Sequence, residues 1–146
     1  METLSEILRE KAGDPLFTVD QEQSTLDAVH LMNEHSIGAV IVTSGGRMTG
    51  IFTERDVLRR VVGADINPAQ VPVRNVMTTR VICCTPATTV EEARTLMKKR
   101  RIRHVPITDS EGDVVGLISI GDLNAYLTSH HEVTIHYLHE YLHGRV

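Results

Sequence analysis

The chain carries one pattern twice, and that duplication limits its fold more than any other feature. Ala28, Leu31, Met32, Ile37, Val40 and Thr43 recur as Ala93, Leu96, Met97, Ile102, Val105 and Thr108, all at an offset of 65 positions (93 − 28). One inserted residue later, Gly50-Ile51-Phe52-Thr53-Glu54-Arg55-Asp56 is answered by Gly116-Leu117-Ile118-Ser119-Ile120-Gly121-Asp122. A duplicated unit of this kind cannot bury its apolar face alone, so the copies must pack into one body. Packed copies leave clefts at their junction, where small ligands commonly sit.

With 146 residues, the chain has room for one compact domain or two small halves sharing a core. Aromatic residues make up only 3% and Trp is absent, so the core must be built from aliphatic side chains. The formal charge of −4 argues against a general nucleic-acid binder, which carries a basic surplus. No apolar run approaches the roughly 20 residues of a membrane span. The acidic opening Met1-Glu2-Thr3-Leu4-Ser5-Glu6 has no signal-peptide pattern. Cys83 and Cys84 are adjacent and cannot frame a disulfide scaffold, which points to a reducing, cytoplasmic setting.

Periodicity and turn residues divide the chain into a first repeat over 14–63, a linker over 64–72, a second repeat over 73–128 and a helical tail over 129–146. Each repeat reads β-α-β-β-α. A short leading helix runs from Ser5 to about Ala12, stopped by Gly13-Asp14-Pro15. The first repeat then offers a strand at Leu16–Val19 and a helix opened by Ser24 with Asp27 as capping partner. Strands at 38–42 and 48–52 follow, and a helix from Thr53 to Gly63. The second repeat offers a strand at Arg80–Cys84 and a helix capped by Thr88 with Glu91. Strands at His104–Thr108 and Val114–Ser119 follow, then a helix from Ser119 to about Leu127. A tail helix over Glu132–His143 lies outside the repeat.

Two short phrases carry the chemistry: Gly50-x-x-Thr53-x-x-Asp56 and Gly116-x-x-Ser119-x-x-Asp122. In each, an apolar strand runs into a hydroxyl residue that starts a helix, with an acid three positions on. That spacing is first of all a capping signal, found on many helices without a ligand. The second reading is a binding site. Each glycine allows close backbone approach, a helix start offers N–H groups and partial positive charge, and a carboxylate can accept from two vicinal hydroxyls of a ribose. The same residues can cap and bind.

These features resemble the cystathionine-β-synthase (CBS) domain, and the whole chain resembles a stand-alone tandem CBS pair. The resemblance rests on Thr88-Thr89-Val90-Glu91-Glu92-Ala93 with Leu96-Met97, on Arg103-His104-Val105-Pro106-Ile107, and on Gly116-Leu117-Ile118-Ser119 with Asp122. The phrase Val73-Arg74-Asn75-Val76-Met77-Thr78 resembles the family's lead-in to a second repeat. The match spans roughly residues 14 to 127. It implies an α/β fold: tandem repeats packed as a pseudo-twofold pair, flanked by N-terminal and C-terminal helices. It further implies a disc-like homodimer and adenosine-type ligands: AMP, ADP, ATP, NAD or S-adenosylmethionine.

Carried over residue by residue, the resemblance gives Thr53 and Asp56 the ribose in one cleft, and Ser119 and Asp122 the ribose in the other. The base would be contacted by Phe17 to Val19 with Ile37, Gly38 and Ala39, and by Ile82 to Cys84 with Ile102 to His104. Arg55, Arg103 and His104 are the candidate phosphate partners. Val19, Cys83, Pro106 and Met77 complete the candidate contacts, Met77 through its place near a cleft in the resemblance, although it reads better as a core filler.

The copies differ where charge matters: Gly121 stands opposite Arg55, and Gly38-Ala39 opposite Arg103-His104, so the two clefts should differ in affinity. No nucleophile has a base beside it, so no catalytic constellation and no catalytic cofactor are expected. The basic run Lys98-Lys99-Arg100-Arg101 reads as a solvated helix end. Glu132, His136, His139 and His143 have metal-ligand spacing along one helix edge, but read better as the polar flank of the stripe Ile135, Leu138 and Leu142. A nucleotide sensor reporting to a regulated protein is thus set against a ligand-independent interaction module and, more distantly, a metal enzyme built on the tail.

Overall fold

The computed structural model describes residues 1–130. The expected tail helix and its histidines lie outside the described residues. Helix α1 (Leu4–Glu10) precedes the first repeat, which comprises β1 (Thr18–Asp20), α2 (Thr25–His35), β2 (Ala39–Ser44), β3 (Arg47–Thr53) and α3 (Glu54–Asp56). A 3-10 turn at Val73–Asn75 leads into the second, with α4 (Val90–Arg100), β4 (His104–Thr108), β5 (Val114–Ser119) and α5 (Ile120–His130). The first sheet has the order β1-β2-β3, with β1 parallel to β2 and β3 antiparallel to it; β4 and β5 form an antiparallel pair.

The helices begin where their caps place them. Ser24 Oγ accepts the Asp27 N–H at 3.0 Å, as the sequence predicts. In the second repeat the cap lies one residue later than predicted: Thr89 Oγ1 accepts the Glu92 N–H at 3.0 Å. Thr88 is occupied elsewhere, its carbonyl taking the Leu4 N–H and its hydroxyl the Thr85 N–H. Both helices end on a left-handed residue, Ser36 (φ 52°) and Arg101 (φ 55°), at equivalent positions.

Two expected elements are altered. The helix after Thr53 keeps only its first turn as α-helix and widens into π-helical turns over Val57–Val62, with Gly63 N–H bonded to Leu58 C=O at 2.8 Å. Three valines in this short stretch, stiff at χ1, weaken an α-helical continuation. The strand expected at Arg80–Cys84 is reduced to a single parallel bridge between Cys84 and Ile107. The segment has to travel: Thr78 is paired with Ile51 of the first repeat, so only its far end reaches the second sheet.

That crossing is half of an exchange. Helix α1 precedes the first repeat yet buries Leu4 and Ile7 among Val90, Met97, Ile118 and Leu123 of the second. Val73, Val76 and Met77 precede the second repeat yet are buried with Ala28, Val40 and Phe52 of the first. Each lead-in is tied down at equivalent points: Thr25 N–H to Val71 C=O at 2.8 Å, and Val90 N–H to Glu2 C=O at 3.0 Å. A third small cluster, Ala39, Ile41 and Ile51 with Leu117 and Val114, joins the two sheets. Burying each Leu, Ile, Val or Met in this way contributes about 1.5–3 kcal/mol, so the lead-ins bind the halves together. The core is aliphatic apart from Phe52 and Tyr126.

The two motif glycines serve this exchange. A Cβ on Gly50 would lie 2.6 Å from Met77 Sδ and 2.7 Å from Thr78 C=O; one on Gly116 would overlap the Leu8 side chain. The close approach that the sequence assigns to a ligand is here made by the opposite lead-in. Among the described residues no helix is long and apolar enough to cross a membrane.

Candidate functional site

At the β3–α3 junction, Thr53 Oγ1 accepts the Asp56 N–H at 3.3 Å while Asp56 Oδ2 accepts the Thr53 N–H at 3.0 Å, a reciprocal capping box. Asp56 is buried at 4% exposure. Its carboxylate also accepts the Thr78 hydroxyl at 3.0 and 3.2 Å and has Arg60 Nε at 3.6 Å. Arg60 in turn donates to Met77 C=O at 2.7 Å. Both carboxylate oxygens of Asp56 are therefore engaged by the chain itself.

The β5–α5 junction repeats the box: Ser119 Oγ accepts the Asp122 N–H at 3.0 Å and Asp122 Oδ2 the Ser119 N–H at 2.8 Å. Here the added partner is a cation. Lys11, just past α1, donates from Nζ to Asp122 Oδ2 and to Leu117 C=O, both at 2.8 Å. Burial pushes the Asp122 carboxyl up, but the Lys11 and Ser119 bonds outweigh it and hold the group below the ordinary aspartate value. These bonds all fall on Oδ2, leaving Oδ1 without a partner among the described residues.

Two cavities open over these junctions, and each is built crosswise. A cavity of about 320 Å³ takes Thr53, Arg55 and Asp56 from the first repeat, with Ile82, Ile102 and Arg103 from the second. The other, about 570 Å³, takes Ser119 and Asp122 from the second repeat, with Phe17, Ile37, Gly38 and Ala39 from the first. The hydroxyl–acid pair of one copy thus faces the opening segment and second-strand region of the other. In the larger cavity Phe17 stacks on His35, ring centroids 3.9 Å apart.

Gly38 and His104 line both cavities. A Cβ on Gly38 would overlap the Glu54 carboxylate and lie 3.1 Å from the His104 ring. A side chain there would oblige the exposed Glu54 carboxylate to turn away. Burial lowers the His104 pKa from its ordinary value, opposed by the charges of Glu54 and Asp122.

Of the predicted contacts, Thr53, Arg55, Asp56, Ile37, Gly38, Ala39, Ser119, Asp122, Arg103 and His104 line a cavity. Val19, Met77, Cys83 and Pro106 line neither. Val19 is the inward residue of β1, with Thr18 and Asp20 turned outward. Met77 sits on Gly50 in the first core. Pro106 is buried and gives its carbonyl to Cys84, and Cys83 is exposed away from both openings.

Lys11, His35, Thr78, Arg80 and Arg101 are cavity residues that the repeat alignment missed. A signal for two of them exists. Leu4, Ile7 and Leu8 match Val73, Val76 and Met77 at an offset of 69 (73 − 4), and the same offset sets Lys11 opposite Arg80.

Comparison with known proteins agrees with this construction. The CBS domain family matches residues 4–63 and again 73–129. The chain is 36% identical over 106 residues to a CBS domain-containing protein of Bacillus subtilis, covering 73% of this chain and 74% of that one. It is 31% identical over 150 residues to a mitochondrial CBS domain-containing protein of Arabidopsis thaliana, covering 97% and 72%. Among solved structures, a CBS-domain-containing protein of Agrobacterium tumefaciens superposes with a TM-score of 0.78 at 35% identity, over 85% of this chain and 98% of that one. A CBS domain pair solved with 5′-methylthioadenosine and S-adenosyl-L-methionine has a TM-score of 0.76 at 22% identity, over 88% and 98%, a likeness of fold. With two matched units, their sheets joined and their lead-ins exchanged, this chain belongs to the CBS domain family as a tandem pair.

Proposed function

We propose that this CBS pair is a non-catalytic sensor. It takes an adenosine-type nucleotide (AMP, ADP, ATP or NAD) in the clefts between its repeats, and passes the bound state to a regulated partner protein or to a second copy in a homodimer. The crossed construction of the two cavities carries this reading, because a ligand in either one touches both repeats and so reports on their fit. The adenosine class is supported by the CBS pair of the same fold solved with 5′-methylthioadenosine and S-adenosyl-L-methionine. Ribose hydroxyls would meet Asp122 Oδ1 and the Ser119 hydroxyl, a base would lie over the Phe17–His35 stack, and Arg55 and Arg103 would meet phosphate in the other cleft. Cys83 and Cys84 are unpaired, which suits a reducing cytoplasm.

Calorimetry with adenosine, AMP, ATP and NAD tests it: Asp122→Ala should abolish one site. An unchanged titration in that variant defeats the assignment.

A second reading has one observation in its favour. Asp56 is saturated by Thr53, Thr78 and Arg60, as capping residues in a ligand-independent interaction module would be. Thermal melting separates the two. A ligand at 100 times its dissociation constant adds about 2.7 kcal/mol, and no shift with any adenosine compound favours the module.

A further inference from the structure

We propose that the two clefts take adenosine ligands of different charge. The Thr53 cleft takes a nucleoside bearing two or more phosphates, its tail running outward past Arg101 and Arg103 to Arg94 and Lys98. The Ser119 cleft takes an adenosine derivative without phosphate. The proposal rests on the adenosine reading above and divides it between the sites.

Arg55, Arg80, Arg101 and Arg103 all line the Thr53 cleft. Each is exposed, and none makes an ion pair among the described residues. The lining acids are Glu54 and Asp56, and Asp56 is already held by Thr53, Thr78 and Arg60. Four guanidinium groups around about 320 Å³ repel one another, and a polyanion relieves that repulsion through charge-assisted, bidentate bonds. A phosphate monoester has three terminal oxygens, too few to bond four guanidinium groups bidentately.

The cationic lining continues outward. An adjoining depression shares Arg55, Arg101 and Arg103 with the cleft and adds Arg94 and Lys98. Its only lining acid is Glu91, which Arg94 holds at 3.3 Å. The basic run at the end of α4 is therefore divided. Lys99 and Arg100 line neither cavity and fit a solvated helix end, whereas Lys98 and Arg101 face the groove.

The Ser119 cleft is poor in available cations. Gly121 stands where the first repeat has Arg55. Lys11 is spent on Asp122 and Leu117 C=O, His35 is stacked on Phe17, and Asp14 adds a negative charge to the lining. Ile37, Ala39, Val115 and Leu117 supply apolar surface in its place.

The test is calorimetry on the full chain with adenosine, AMP, ATP and inorganic tripolyphosphate at low and high salt, in the wild type and in R101A/R103A. Both arginines are exposed and outside the core, so the variant should fold. The wild type should bind ATP about tenfold or more tightly than AMP, with the advantage shrinking in salt. The double variant should lose about 100-fold in ATP affinity while adenosine binding at the other site is unchanged. ATP bound no more tightly than AMP, or equally well by the variant, overturns the proposal. Tripolyphosphate bound by the wild type with every adenosine compound inert overturns the adenosine reading while upholding the anion groove. If tripolyphosphate is inert as well, both fall.

Discussion

Lys11 Nζ lies 2.8 Å from Asp122 Oδ2, while its counterpart Arg80 has no ion pair among the described residues. The same exchanged position therefore pairs with one oxygen of one cleft's acid and leaves a cation without an ion pair in the other. Lys11 also fastens α1 to the second repeat through Leu117 C=O.

Lys11→Met should therefore destabilise the protein by about 1 kcal/mol at neutral pH, since both groups are only partly exposed. The sign of its pH dependence follows from Asp122. A carboxyl whose folded value is depressed contributes stability that is present above its unfolded value and lost as pH falls through the folded one. The cost of Lys11→Met should thus shrink as pH drops below the ordinary aspartate value of 3.8. Urea denaturation of both proteins at neutral and acid pH measures this, and a difference that does not shrink at low pH contradicts it.

The two motif acids should respond unequally to removal. Asp56→Ala strips a buried group from the Thr53 N–H, the Thr78 hydroxyl and Arg60, and should cost about 2–4 kcal/mol. Asp122→Ala loses a partly exposed cap and ion pair and should cost about 1 kcal/mol. Equal losses in chemical denaturation would show that burial does not separate them. A binding defect in Asp56→Ala has meaning only beside its melting curve.

Gly50→Ala and Gly116→Ala probe the exchanged lead-ins. The first pushes a methyl against Met77 and the Thr78 carbonyl, and backbone yields little; about 1–3 kcal/mol should be lost. The second meets only the end of the Leu8 side chain, which can turn away, so its cost should be smaller. Adding Leu8→Ala to Gly116→Ala should relieve the clash, giving a coupling that a double-mutant cycle detects. Strict additivity would mean that the contact is not what the glycine protects.

The duplication made much of this fold legible, because the offset of Ala28 and Ala93 marks local periodicity that helices and strands obey in place. The hydroxyl–acid boxes were readable for the same reason, being contained within four residues. What escaped was non-local. Nothing in the neighbourhood of Lys11 indicates that it crosses to Asp122, 111 positions away. The strand expected at Arg80–Cys84 failed because Thr78 is held by Ile51 in the other repeat. Val19 looks like a site residue by position, yet it faces the core, and facing is decided by the partner element; Met77 is buried there too, in keeping with its reading as a core filler.

His104 lines both clefts, so its protonation reports on either. Burial lowers its pKa, and the charges of Glu54 and Asp122 pull the other way. Below the ordinary histidine value of 6.5 the unfolded chain binds a proton that folded His104 resists, so this residue makes stability fall as pH drops through that window. Removing an opposing acid should widen the window. Glu54→Gln should move the His104 midpoint lower still, as followed by the imidazole proton signals in an NMR titration, with His104→Gln identifying the resonance. Arg103→Ala should move it the other way, since that guanidinium lowers the value through space. A midpoint that stays at 6.5 in all three proteins would mean that water reaches the ring freely, and that burial between the two clefts does not set its protonation.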